Sequence, residues 1–299
     1  MWVFLAIASA VFLGIYDIFK KKSLKNNAVL PVLLLSTSTS ALLFIPFMLI
    51  SKFNPLLLTG TLFFVPEISW HDHFLILIKS CIVASSWILA YYAMKYLPVT
   101  IVSPIRSTGP MWTLLGAVLI YSEQLNWVQW MGIGVSMLFF YLFTLIGNKE
   151  GVSFRKNKWV FFIMAATLIG AASGLYDKFL IRKVNNMAVQ AWFSIYMIPV
   201  ILPFVYTFWY RKLGKTTPFQ FRYTIPLIGI TLTIADFCYF YALTDEASLI
   251  AIVSSLRRTS VLVTFLLGAL LFKEKNITRK LLLLIGMLLG VLIIVWGSV

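Results

Sequence analysis

The chain has 299 residues, 61% of them hydrophobic and only 12% charged, with a formal charge of +15. Soluble domains are about half apolar and about one-quarter charged, so this composition excludes an ordinary soluble domain. The basic residues fall between apolar runs rather than on a unit of their own, which argues for membrane orientation and against a nucleic-acid partner.

A bilayer crossing takes about 20 apolar residues. Runs of that kind predict spans over 2–20, 29–50, 73–95, 99–121, 127–147, 158–180, 188–209, 222–243, 247–271 and 280–298. The expected fold is an all-α polytopic membrane protein of ten transmembrane helices. Ala8-Ser9-Ala10 mimics a signal cleavage site, but the run before it is too short, and a retained helix is expected. Leu56–Val65 is apolar, too short to cross and bracketed by Pro55 and Pro66, which suits an interfacial or re-entrant piece. His71-Asp72-His73 is expected in a loop beside Trp70, at a spacing that fits no common zinc motif. Trp70, Trp127, Trp130 and Trp159 stand at span starts, where an aromatic belt forms. Cys81 and Cys238 lie inside apolar runs and read as packing residues.

Most of the 25 basic residues sort to one side of these spans, including Lys20, Lys21, Lys22, Lys25, Arg222, Arg279 and Lys280. Only Lys52, Lys178, Arg182 and Lys183 sort to the other. The positive-inside rule then puts both termini outside, in a membrane of the bacterial inner type. Lys79, Arg106, Arg257 and Arg258 fall within spans. A guanidinium at mid-membrane costs about 2.5–3.5 kcal/mol on insertion scales, so these residues call for a use.

The chain reads as a duplication, 1–150 and 151–299. Gly14-Ile15-Tyr16-Asp17-Ile18-Phe19 returns as Gly174-Leu175-Tyr176-Asp177-Lys178-Phe179, and the ladder Ala6, Ala10, Gly14 returns as Ala166, Gly170, Gly174. Small residues every fourth position let membrane helices approach closely. Ser103-Pro104-Ile105-Arg106-Ser107-Thr108 has its counterpart in Ser254-Ser255-Leu256-Arg257-Arg258-Thr259. Each stretch runs into Leu-Leu-Gly-Ala (114–117 and 266–269) and ends at an acid, Glu123 or Glu274. An odd number of helices per copy inverts the second copy in the membrane, a symmetry that accompanies alternating-access transport with a midplane site.

This pattern resembles the drug/metabolite transporter superfamily, and its EamA branch in particular. The resemblance rests on Gly116, Ala117, Glu123, Gly268, Ala269 and Glu274, with Gly132 and Gly286 in the helices that follow. It implies a secondary carrier of small metabolites that works without ATP, and no Walker motif or nucleophile elbow is present. A positional likeness to sugar-phosphate/phosphate translocators is sharper. Those carriers grip phosphate with basic residues on helices 4 and 9, where this chain has Arg106 and the pair Arg257-Arg258.

The expected substrate site is therefore Arg106, Arg257 and Arg258. The hydroxyls of Ser107, Thr108 and Thr259 would complete the shell, and Tyr91 and Tyr239 would line it. A guanidinium binds carboxylate or phosphate through a planar fork of donors. Asp17, Asp177 and Asp236 are candidates for coupling or gating; equally, they balance the arginines as internal ion pairs. The expected function is secondary-active or exchange transport of an anionic or zwitterionic solute. The alternative is a broad exporter of amino acids or amphipathic drugs with structural arginines. Enzyme activity, a cofactor and a metal are not expected.

Overall fold

Every element of regular structure among the described residues is helical. The computed structural model describes residues 2–121, 124–149, 156–181, 183–243, 256–257, 259–272 and 276–297. The helices are α1 (Trp2–Leu24), α2 (Val29–Phe53), α3 (Trp70–Tyr96), α4 (Val99–Ser107), α5 (Gly109–Tyr121), α6 (Trp127–Lys149), α7 (Lys158–Ile181), α8 (Asn186–Phe208), α9 (Thr224–Leu243), α10 (Ser260–Phe272) and α11 (Ile277–Trp296). Seven of them, α1, α2, α3, α6, α7, α8 and α11, are long and apolar enough to cross a membrane. Their outward faces carry large apolar side chains, Phe4, Leu42, Phe161, Leu202 and Leu289 among them. Such a surface suits hydrocarbon, because helices satisfy their own backbone there. This is a multi-pass integral membrane protein.

The ends of the bundle differ. At one, the basic end, α1 finishes, α2 begins and Lys21 Nζ donates to the Met94 and Leu97 carbonyls at 2.7 and 2.5 Å, capping the end of α3. At the far end Trp70, Trp127 and Trp296 are exposed, as an aromatic belt requires.

The single span expected over 99–121 is two pieces. Thr108 N–H reaches only three residues back, to Ile105, and Met111 N–H reaches Thr108. Pro110 explains the break: it has no N–H to donate to the Arg106 carbonyl, and its ring crowds that carbonyl. The break thus falls at Thr108, two residues after Arg106. Three further corrections concern residues expected in loops. Lys20 and Lys280 are 2% and 1% exposed and sit inside α1 and α11. His71-Asp72-His73 forms the first turn of α3, where Ser69 and Asp72 make a reciprocal capping box. Replacing Ser69 by alanine removes that cap, and a loss of about 0.5–2 kcal/mol is expected as a lowered melting temperature in detergent. The stretch over 56–65 begins as a 3-10 turn, Pro55–Leu57, and then folds back so that Phe63 stacks between Phe47 and Phe237 at 4.9 and 5.1 Å.

Helix pairs run mainly between the first and second parts of the chain. α1 packs on α9 and α10, α2 on α8 and α9, α3 on α7 and α8, α5 on α7, α4 on α10 and α6 on α11. Buried hydroxyls stitch these seams to backbone carbonyls: Ser9 to Ala235 at 2.6 Å, Ser86 to Ala166 at 2.7 Å and Ser136 to Met287 at 3.3 Å. Glycine permits the closest approaches. A Cβ on Gly132 would meet Gly290 O and Ile294 N at 2.7 Å, so α6 and α11 touch through backbone.

Candidate functional site

Two cations, Lys20 and Arg106, meet at the Asp17 carboxylate. One turn along α1, Lys20 Nζ donates to Oδ1 over 2.5 Å. Arg106, two residues before the α4–α5 break, donates from Nη1 to both carboxylate oxygens at 3.0 and 3.1 Å. Thr264 Oγ1 on α10 donates to Oδ2 at 3.3 Å. One acid therefore ties together α1, α4 and α10. Two cations share it, so the cluster keeps one net positive charge. The Lys20 ammonium is shielded by aromatic faces, 4.3 Å from the Tyr16 ring centre and 5.2 Å from that of Tyr91. Arg106 is different: 40% of its side chain stays accessible, and among the described residues its Nε and Nη2 have no hydrogen-bond partner.

Arg106 forms the wall of a cavity of about 370 Å³ between α1, α3, the α4–α5 break and α7, shared with Tyr16, Lys20, Trp87, Tyr91 and Thr113. The glycine ladder explains why it lies here. Gly170 and Gly174 face this cavity, and a Cβ on Gly174 would meet nothing nearer than Thr113 at 3.9 Å. The matching Gly14 on α1 is packed shut: a Cβ there would run into the Val263 side chain and lie 3.2 Å from Thr264 N. One ladder closes a seam, and its counterpart leaves a hollow.

Two more hollows continue toward the far end. Trp87 separates the polar cavity from a small one of about 60 Å³ lined by Thr37, Ser40, Gln190 and Asp236. Phe44, Gln190 and Thr233 in turn divide that space from a largely aromatic cavity of about 680 Å³, which Phe47, Phe63 and Phe237 line.

The other expected site residues are dispersed. Arg257 pairs with Asp236 on α9 and lies over the Tyr239 ring at 4.4 Å; neither Arg257 nor Tyr239 lines the polar cavity. Asp177 pairs with Lys79 of α3 at 2.7 Å, a link between the two parts of the chain. Ser107, Thr108 and Thr259 donate to carbonyls of their own turns, Pro104, Ile105 and Leu256, at 2.6–2.7 Å. Tyr91 lines the cavity and its hydroxyl lies 3.3 Å from Ser36 Oγ. Arg258, Ser254, Ser255, Glu123 and Glu274 lie outside the described residues. Sequence reasoning missed Lys20, taken for a loop residue, and Thr264. The signal for Lys20 was its position one turn after Asp17.

No group of three or more His, Cys, Asp or Glu among the described residues is arranged to hold a metal. No curated protein matches the chain in sequence. The profile of the EamA-like transporter family matches residues 1–145 and again 157–296. A membrane-embedded helical bundle with a charged hollow among its helices, matched across both parts of its length, belongs to the EamA-like transporter family and acts on small molecules across a lipid bilayer.

Proposed function

We propose that the protein is a secondary-active or exchange carrier of a small anionic or zwitterionic metabolite, and that Arg106 is its substrate-binding group. One observation carries this reading. Among the described residues, a guanidinium with Nε and Nη2 unengaged faces a polar hollow in a cluster of net positive charge. A carboxylate or phosphate accepts two such donors side by side. Tyr16, Tyr91 and Trp87 supply aromatic parts of the cavity wall.

Alternating access is supported by how the helices pair. Matching α1, α2 and α3 to α7, α8 and α9, α4–α5 to α10, and α6 to α11 turns α1·α9 into α7·α3 and α2·α9 into α8·α3. It leaves α2·α8, α4·α10 and α6·α11 unchanged. This exchange favours two copies, 1–150 and 151–299, in inverted orientation, with α4–α5 and α10 each part of a crossing and ten crossings in all. Under it, the hollow at Gly174 is the counterpart of the closed seam at Gly14. Transport then consists of the two sites exchanging roles. Charge sorting favours a bacterial inner membrane, basic end inside and termini outside.

A second reading has one observation in its favour. The large aromatic cavity, together with an Arg257 paired with Asp236, suits an exporter of amphipathic molecules. Thermal stabilisation of the purified protein separates the two. Pyruvate, glutamate, glycine and inorganic phosphate are compared with tetraphenylphosphonium. A ligand at 100 times its dissociation constant adds about 2.7 kcal/mol of stability. At least one anion or zwitterion is expected to raise the melting temperature; a response to tetraphenylphosphonium alone contradicts the proposal.

A further inference from the structure

We infer that Asp17 is a resident substitute for the transported anion: it occupies Arg106 when the site is empty and releases it when substrate binds. The inference rests on the anion reading above. Its basis is the uneven way Asp17 is held. Both its oxygens lie against a single guanidinium nitrogen, Nη1, rather than across the two-nitrogen fork. The paired donors of the fork are thus kept for a ligand arriving from the cavity. Asp17 also has somewhere to stay, because Lys20 holds Oδ1 at 2.5 Å and Thr264 reaches Oδ2 at 3.3 Å. An anion on Arg106 therefore loosens only the link between α1 and α4, while α1 keeps its contact with α10.

Two consequences follow. In the empty carrier Arg106 keeps a carboxylate partner, so its own guanidinium is never without a counter-ion even though the cluster as a whole holds one net positive charge. Asp17 also competes with substrate for the guanidinium charge, though not for the same donors, so apparent affinity is reduced by the fraction of time Asp17 neutralises Arg106. With the released form about one-tenth populated, removing the competitor tightens binding about tenfold.

The test uses the full chain in detergent and in liposomes, with pyruvate, glutamate, glycine and inorganic phosphate as probes. Asp17→Asn is expected to bind the stabilising probe about tenfold more tightly and to keep exchange of labelled for unlabelled probe. It is expected to lose net uptake into empty liposomes, because the unloaded form lacks its counter-ion. The double variant Asp17→Asn/Lys20→Met keeps the net charge of the cluster as it is in the native protein. It guards against misfolding caused by an unbalanced lysine and removes a purely electrostatic explanation. It should show the same tightening. Unchanged or weaker binding in the double variant, or full net uptake by either, overturns the inference. A native protein that responds to none of the four probes overturns the anion reading itself, and the inference with it.

Discussion

Replacing Arg106 by alanine is expected to abolish anion-dependent stabilisation and transport while the protein stays folded. The folding half of that statement follows from the local charge balance. Without Arg106, Asp17 still has Lys20 at 2.5 Å and the Thr264 hydroxyl, so no acid is left without a partner. The binding half follows from the loss of the only guanidinium on the polar cavity among the described residues. Truncating one side of a desolvated charge pair costs about 2–5 kcal/mol, a loss of roughly thirtyfold or more in affinity. Arg106→Lys keeps the charge but not the fork, and should recover only part of it. Arg257→Ala should behave in the opposite way. It leaves Asp236 at the wall of the small central cavity without its counter-charge, and its main effect should be a lower melting temperature. Melting curves and uptake assays on the same preparations separate loss of fold from loss of binding.

The second large effect concerns a pair of glycines in matching sequence contexts. Gly14→Leu is expected to destabilise the protein strongly, because even the first carbon of the new side chain collides with Val263 and presses on the α10 backbone. Overpacking of this kind costs about 1–3 kcal/mol, occasionally more. Gly174→Leu is expected to leave stability unchanged or slightly raised, since its side chain enters the open cavity past Thr113. There it occupies the space the proposed substrate needs, and transport should fall to background. Equal loss of stability at both positions would contradict the contrast between an open and a closed seam.

Much of this architecture was legible in the sequence, because apolar runs of bilayer length leave the chain few alternatives. The repeated Gly-x-Tyr-Asp-x-Phe pointed to Tyr16 and Gly174, which line one hollow, and to Asp17, which pairs with Arg106 at its wall. Other features required three dimensions. A position one turn after Asp17 marks Lys20 and Lys21 alike; only the packing of α1 against α3 and α9 buries Lys20 beneath Tyr16 and Tyr91. Pro110 stands inside the span expected over 99–121, but a proline can kink a helix without ending it, and the two-piece form shows only in the bundle. The hydroxyls near the arginines looked like binding groups by proximity along the chain. In the bundle Ser107, Thr108 and Thr259 turn back on their own helices, as serine and threonine in membrane helices do. Which aspartate each cation chooses was equally hidden: Arg106 reaches Asp17, whereas Arg257 reaches Asp236 and Lys79 takes Asp177.

The most direct measurement is an experimental structure with a stabilising anion or zwitterion bound. The account predicts its carboxylate or phosphate density within about 3 Å of Arg106 Nε and Nη2, between Tyr16 and Trp87, with Asp17 drawn toward Lys20. Ligand density confined to the aromatic cavity beside Phe47, Phe63 and Phe237, with Arg106 still held by Asp17, would contradict it.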